Sequence, residues 1–301
     1  MDKLYKILLL SYSQTGQLNE ITDNFAGELR NVDIDRVQYN PVTPFPFPWT
    51  SKAFFDCMPE CVLETAVPLQ NINYKYSKYD LIVFAYQPWF LSPSIPASSI
   101  LQDKIFLSLL QNTPVITLIG SRNMWLNSQA SVKKRITEAG GYIVGNVPFV
   151  DRNQNQISAV TILHWMLKGT KTRKYGMFPK PGVNEKDIQS ASQFGSILNQ
   201  TIEKNELSDI QTKFLNLGLI TLPTDILFIE ERAKRLFSIW ANLIRKYGTT
   251  QKGKTRVATA FKYYLLIALF IVAPIVILVY QIFIAPFTSK SINKKKQIYL
   301  Q

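Results

Sequence analysis

The sequence predicts an α/β fold: a doubly wound, five-stranded parallel sheet, followed by further helices and a C-terminal transmembrane helix. Three observations carry this. Apolar runs of strand length alternate with amphipathic segments over the first 170 residues. The polar, glycine- or proline-containing breaks after the first, third and fourth runs fall on the edge where such sheets bind ligands. Near the end, 25 residues without a charge, 263–287, form the longest apolar stretch. Three regions follow: an α/β domain over 1–170, a helical extension over 171–250 and an anchor over 263–287.

The first strand is Leu4–Leu10, and it ends abruptly in Ser11-Tyr12-Ser13-Gln14-Thr15-Gly16-Gln17-Leu18. An amphipathic helix, Leu18 to Leu29, begins there. A strand, a tight polar loop and a helix start aim backbone N–H groups and the Ser13 and Thr15 hydroxyls at one point, which suits a phosphate. Gly16 permits close backbone approach. Any first strand-to-helix turn of an α/β domain offers part of this pattern. Val32–Tyr39 alternates as a second strand, and Pro41–Trp49, with four prolines among aromatics, is extended. That segment is either an arm packed over the domain or one wall of an apolar pocket. A helix over Ser51–Leu63 follows, with Ser51 as its N-cap.

Tyr79–Tyr86 is a continuous apolar strand of the buried kind. Its loop carries Pro88-Trp89-Phe90-Leu91, aromatic residues outside any element core. After a helix over Ile100–Leu110 comes the strand Pro114–Ile119 and a loop, Gly120-Ser121-Arg122-Asn123-Met124-Trp125, with a second exposed tryptophan. Helices over 128–139 and 157–168 flank a fifth strand, 142–150. Helices are expected over 185–217 and 225–247; the last is basic and amphipathic, suited either to lipid headgroups or to packing on the domain.

Charge is unevenly distributed. The chain carries a net +13, yet through Glu231 the 21 acidic residues are matched by as many basic ones, and 13 Lys and Arg follow with no acid. A neutral body with a basic tail is not a nucleic-acid footprint. As a helix, 263–287 would span roughly 37 Å, enough for a hydrocarbon core of about 30 Å. Basic residues on both flanks leave orientation weakly specified. Asp2-Lys3 and a strand directly after Met1 leave no signal peptide, so the main domain is expected in the cytoplasm, held at a bacterial inner membrane by its C-terminus. Cys57 and Cys61, one turn apart with a single histidine in the chain, do not make a zinc site, so no metal is expected.

Ser13-x-Thr15-Gly16-x-Leu18 resembles the flavodoxin phosphate loop, S/T-x-T-G-x-T, whose ligand is the phosphate of FMN; Leu18 replaces the last hydroxyl. The 87–97 loop resembles that of flavodoxin-like quinone reductases, where P-x-W-[FW]-x-x-P-A borders the flavin ring; Trp89-Phe90 and Pro96-Ala97 match, with extra residues between. The resemblance implies FMN contacts at Ser13, Gln14, Thr15, Gly16, Gln17, Leu18, Pro88, Trp89, Phe90, Leu91, Gly120, Ser121, Arg122 and Trp125. Arg122 is then either a partner for negative charge on reduced flavin or a solvated arginine.

With Phe178-Pro179-Lys180-Pro181-Gly182, the helices after it and the hydrophobic anchor, the chain resembles the bacterial dialkylresorcinol condensing enzymes of flexirubin-type pigment pathways. That likeness implies an FMN-dependent aromatase, oxidising a 2,5-dialkylcyclohexane-1,3-dione to a dialkylresorcinol, beside a partner ketosynthase. Condensation itself needs a nucleophilic cysteine with basic partners, usually two histidines, and His164 is alone. No proton-transfer residue stands out. A lipid-like substrate gives the anchor a purpose. Two alternatives remain open: a membrane-associated NAD(P)H quinone reductase, and a non-catalytic tail-anchored scaffold.

Overall fold

In the computed structural model, described for residues 4–284, 296 and 298–300, the apolar runs pair as one parallel sheet. Its strands are β1 (Tyr5–Ser11), β2 (Val32–Gln38), β3 (Leu81–Tyr86), β6 (Pro114–Ser121) and β7 (Tyr142–Val150). A two-stranded hairpin, β4 (Pro88–Trp89) and β5 (Ser92–Pro93), lies between β3 and β6 in sequence. The sheet order is β2-β1-β3-β6-β7, every pair parallel. Strand order reverses between β1 and β3, which is the flavodoxin-like arrangement and puts the switch point beside the β1 loop. β3 is buried over its full length, as a central strand covered on both faces must be.

Helices α1 (Gln17–Ala26), α2 (Ser51–Asp56), α3 (Met58–Val62), α4 (Ile95–Ile100), α5 (Lys104–Leu109), α6 (Leu126–Glu138) and α7 (Asn155–Lys168) connect or flank the strands. The helix expected over 51–63 is two, broken at Cys57 just ahead of Pro59, which has no N–H to continue the ladder. Its cap is Thr50 rather than Ser51: the Thr50 hydroxyl accepts from the Ala53 N–H at 3.1 Å. The helix expected over 100–110 starts only at Lys104, as α5, because α4 ends at Ile100 and Asp103 accepts from the Ile105 and Phe106 N–H groups to start the next helix.

Two hydrophobic clusters cover the sheet. One face packs against α4, α5 and α6, through residues such as Phe84, Phe106 and Ile136. The other packs against α1 and against α8 (Glu185–Gln189), α9 (Ala191–Lys204) and α10 (Ile210–Asn216). Phe194 and Phe214 thus share a core with Ile7 and Phe149, on either side of position 170. Gly195 lets α9 approach α1 closely; a Cβ there would meet the Phe25 carbonyl oxygen at 2.0 Å.

α11 (Thr224–Tyr247) runs back over α3 and α6, and α12 (Gln251–Ile267) returns along α11. Helix continues through a π-turn at Ala268–Val272, then α13 (Ala273–Val279) and a second π-turn at Tyr280–Ile284. The first widened turn precedes Pro274, which cannot donate to the preceding turn. One long apolar C-terminal helix results, Gln251–Phe283, of length and composition sufficient to cross a membrane. It starts well before Tyr263, the expected first residue. Residues 285–287 of the expected anchor, Lys290, Lys294, Lys295 and the first three residues of the chain lie outside the described residues.

Candidate functional site

The loops after β1, β3 and β6 meet at one edge of the sheet and enclose a cleft of about 200 Å³. The β1 loop turns through Gly16, which caps α1 in the left-handed region at φ 84°; a Cβ there would meet open space, so only backbone strain selects glycine. Ser13 Oγ accepts the Leu18 N–H at 3.1 Å and satisfies one donor of the helix start. Among the described residues the Thr15 hydroxyl and the N–H groups of Thr15, Gly16 and Gln17 find no acceptor. They form a compact set of donors on the positive end of α1, a fit for a phosphate dianion.

Gln14 stitches the site. Its N–H donates to Gln87 Oε1 at 3.0 Å, and its Nε2 donates to the carbonyls of Phe45 and Pro46 at 3.3 and 3.0 Å. Leu18, at 1% exposure, points into the core beneath Gly120, where a Cβ on Gly120 would meet Leu18 Cδ1 at 3.3 Å. Its side chain is therefore part of the floor and not a phosphate contact. Gln17 also lines the cleft, with its side-chain amide paired to the backbone of Val183.

After β3 the chain makes the β4–β5 hairpin. Its two-residue loop, Phe90-Leu91, has φ 47° and 61°, both left-handed without glycine or asparagine. Such residues cost about 1–3 kcal/mol each and persist only where packing enforces them. Here the Cys61 thiol donates to the Trp89 and Pro93 carbonyls at 3.1 and 3.4 Å, and Lys234 Nζ donates to Ser92 Oγ at 2.6 Å. Trp89 meets the rings of Tyr12, Phe45 and Trp49 edge-on at 6.2, 5.3 and 5.6 Å. The Pro41–Trp49 segment is thus an arm behind Trp89, while Trp89, Pro88 and Phe90 face the cleft. Leu91 does not: it lines a second chamber beyond the hairpin.

β6 runs two residues further than expected, so Gly120 and Ser121 are strand, not loop. Ser121 Oγ is buried beside the cleft with no hydrogen-bond partner. Arg122 Nη1 donates to the carbonyl and Oδ1 of Asn155 at 2.9 and 2.6 Å, fixing the guanidinium at the rim. Burial pulls its pKa down to about 10, opposed by Asp151 and Glu230, so it stays cationic at neutral pH. Trp125 departs from expectation. At 1% exposure it is a core residue at the N-cap of α6 and takes no part in the cleft. Ile162, Trp165 and Met166 of α7, with Phe54 and Gly182, complete the walls. Sequence reading missed these. The one available signal was the apolar face of α7 adjacent to the β6 loop.

The residues present fit FMN: a donor cradle that wants a dianion, aromatic and aliphatic walls, an orphaned hydroxyl at Ser121 and a fixed cation at the rim. No family model and no curated protein matches the chain. Similar solved structures include a flavoprotein in complex with FMN from Lactobacillus acidophilus NCFM (16% identity, 48% of this chain and 93% of that one, TM-score 0.39). They also include a flavodoxin from the domain Archaea (10%, 66% and 99%, TM-score 0.36) and a protein described as flavone reductase (11%, 67% and 64%, TM-score 0.33). The fold assignment rests on the strand order itself.

Proposed function

We propose that this protein is an FMN-dependent oxidoreductase working at a membrane on an apolar cyclic substrate. The observation that carries the reading is the convergence of the phosphate-type donors of α1, the Trp89 wall and the Arg122 cation on one cleft. The finer reading is aromatisation of a 2,5-dialkylcyclohexane-1,3-dione to a dialkylresorcinol. The ring loses two hydrogens, one with its electron pair and one as a proton from an already acidic carbon. FMN, when bound, supplies the two-electron acceptor.

The protein's own residues would bind and orient. Thr15 and the amides of 15–17 hold the phosphate. Trp89, Phe90 and Trp165, which line the cleft, would exclude water from the ring. Arg122 favours the enolate form of the dione by placing a cation at the rim. The dione itself would come from a separate carbon–carbon-condensing enzyme, since His164 has no second histidine beside it in the chain.

The test is the visible spectrum of the detergent-purified protein, cofactor release, then incubation with a dialkyl dione and product analysis. Stoichiometric FMN and resorcinol formation are expected. NAD(P)H consumption on adding quinone, without dione turnover, would make it a quinone reductase instead. A colourless protein that takes up no added FMN overturns the oxidoreductase reading and leaves a scaffold.

A further inference from the structure

Behind the hairpin lies a second chamber of about 250 Å³, directly adjoining the cleft. Phe90 and Arg122 line both. The far walls come from three helices: α7, α11 and the long apolar helix that begins at Gln251. They meet through alanines, Ala159, Ala233, Ala268 and Ala273, and the absent side-chain volume is what leaves a hollow where three helices pack. Such a hollow is a cost unless something fills it. Among the described residues Arg122 is the one cation on its lining, and it also lines the cleft.

We propose that this chamber binds one alkyl chain of an amphiphile whose oxygen-bearing ring sits in the cleft, with Arg122 at the junction holding a ring oxygen. The proposal rests on the flavin reading for what happens to the ring, but not for binding of the chain. Three features select this occupant over water or a peptide. Apart from Arg122, Asn155 and the Tyr264 hydroxyl, the lining residues are apolar. The one charge, Arg122, and the Asn155 amide bonded to it lie together, matching a molecule with its oxygen-bearing ring at that end. The chamber is also continuous with the helix best suited to lipid, so a ligand dissolved in the bilayer reaches it without crossing water. Phe90, held in a left-handed turn that the Lys234–Ser92 bond pins to α11, divides ring from chain.

The experiment uses the full chain in lipid nanodiscs, titrated with resorcinol and with 5-alkylresorcinols of one to eight carbons below their critical micelle concentration. Binding is read by tryptophan fluorescence, and FMN content is read separately by absorbance. Affinity should rise about three- to fourfold per methylene, then level off when the chamber is full. Ala268→Phe and Ala233→Phe should abolish the rise while leaving unsubstituted resorcinol and FMN content unchanged. A resorcinol bearing a photoreactive alkyl chain should label peptides within 155–168 and 224–247, a readout that needs no variant. Labelling confined to 274–283, beyond the chamber lining, or the same chain-length dependence in both variants as in the native protein, overturns the proposal. A native protein that takes up no FMN, yet shows the chain-length dependence that both variants lose, would sink the flavin reading alone.

Discussion

Gln17 and Val183 are joined by a reciprocal pair of hydrogen bonds, 2.9 Å each way, between positions 166 apart. The first residue of α1 thereby fixes Gly182, which has a left-handed φ of 79° and where a Cβ would meet Gln17 Oε1 at 2.6 Å and Trp165 at 2.8 Å. Gln17→Ala leaves a buried N–H and carbonyl on Val183 unpaired. We expect a loss of about 2–4 kcal/mol in stability and weaker FMN uptake as the Gly182 wall shifts. Thermal melts with and without FMN separate the two effects.

Thr15→Ala removes a hydroxyl that does nothing for the fold among the described residues. Hydrogen bonds to a charged partner contribute about 1.5–3 kcal/mol, so the dissociation constant for FMN should rise roughly 10- to 100-fold. The melting temperature without FMN should stay put. Equal affinity in the variant would place the phosphate elsewhere.

Leu18→Thr restores the hydroxyl of the flavodoxin loop pattern, yet it should not tighten FMN binding. Leu18 is sealed beneath Gly120, so the change opens a void and buries a hydroxyl, costing about 2–4 kcal/mol. Denaturant unfolding and an FMN titration on the same sample decide it.

Glu230 of α11 accepts the Asn127 N–H at 2.8 Å at the start of α6, and its other oxygen is buried without a partner. Burial pushes its pKa from 4.5 up to about 7, partly offset by the N–H groups of α6 and by Arg122. A raised carboxyl stabilises the fold fully below its unfolded value and loses that contribution as pH rises through the folded one. Stability should therefore drop by about 3 kcal/mol between pH 4.5 and 7. Glu230→Gln keeps an acceptor and removes the titration, so its melting curve should lack this decline and exceed the native one above pH 7.

The strands were legible because each is a short apolar run between polar breaks, and β3 in particular is apolar without interruption. What a loop side chain faces was not. Trp89 and Trp125 both follow a buried strand and read alike, but one walls the cleft and the other is swallowed by the core. The difference is that β6 continues to Ser121, and two extra strand residues carry the chain past the edge before α6 turns Trp125 inward. Gly182 and Met166 escaped notice for another reason. They reach the cleft through contacts spanning most of the domain, which no local pattern encodes.

Since α9 and α10 roof the same sheet that 4–170 builds, the exposed turn around Tyr175 and Met177, at 77% and 80% exposure, crosses no boundary between cores. A protease cutting there would sever the backbone and leave two pieces, each with half of one apolar interior. Neither piece can hide its half alone, so they should remain clasped, and separately expressed fragments should reassemble. The molecule is in that sense a ready-made split protein, with its seam at 175–177.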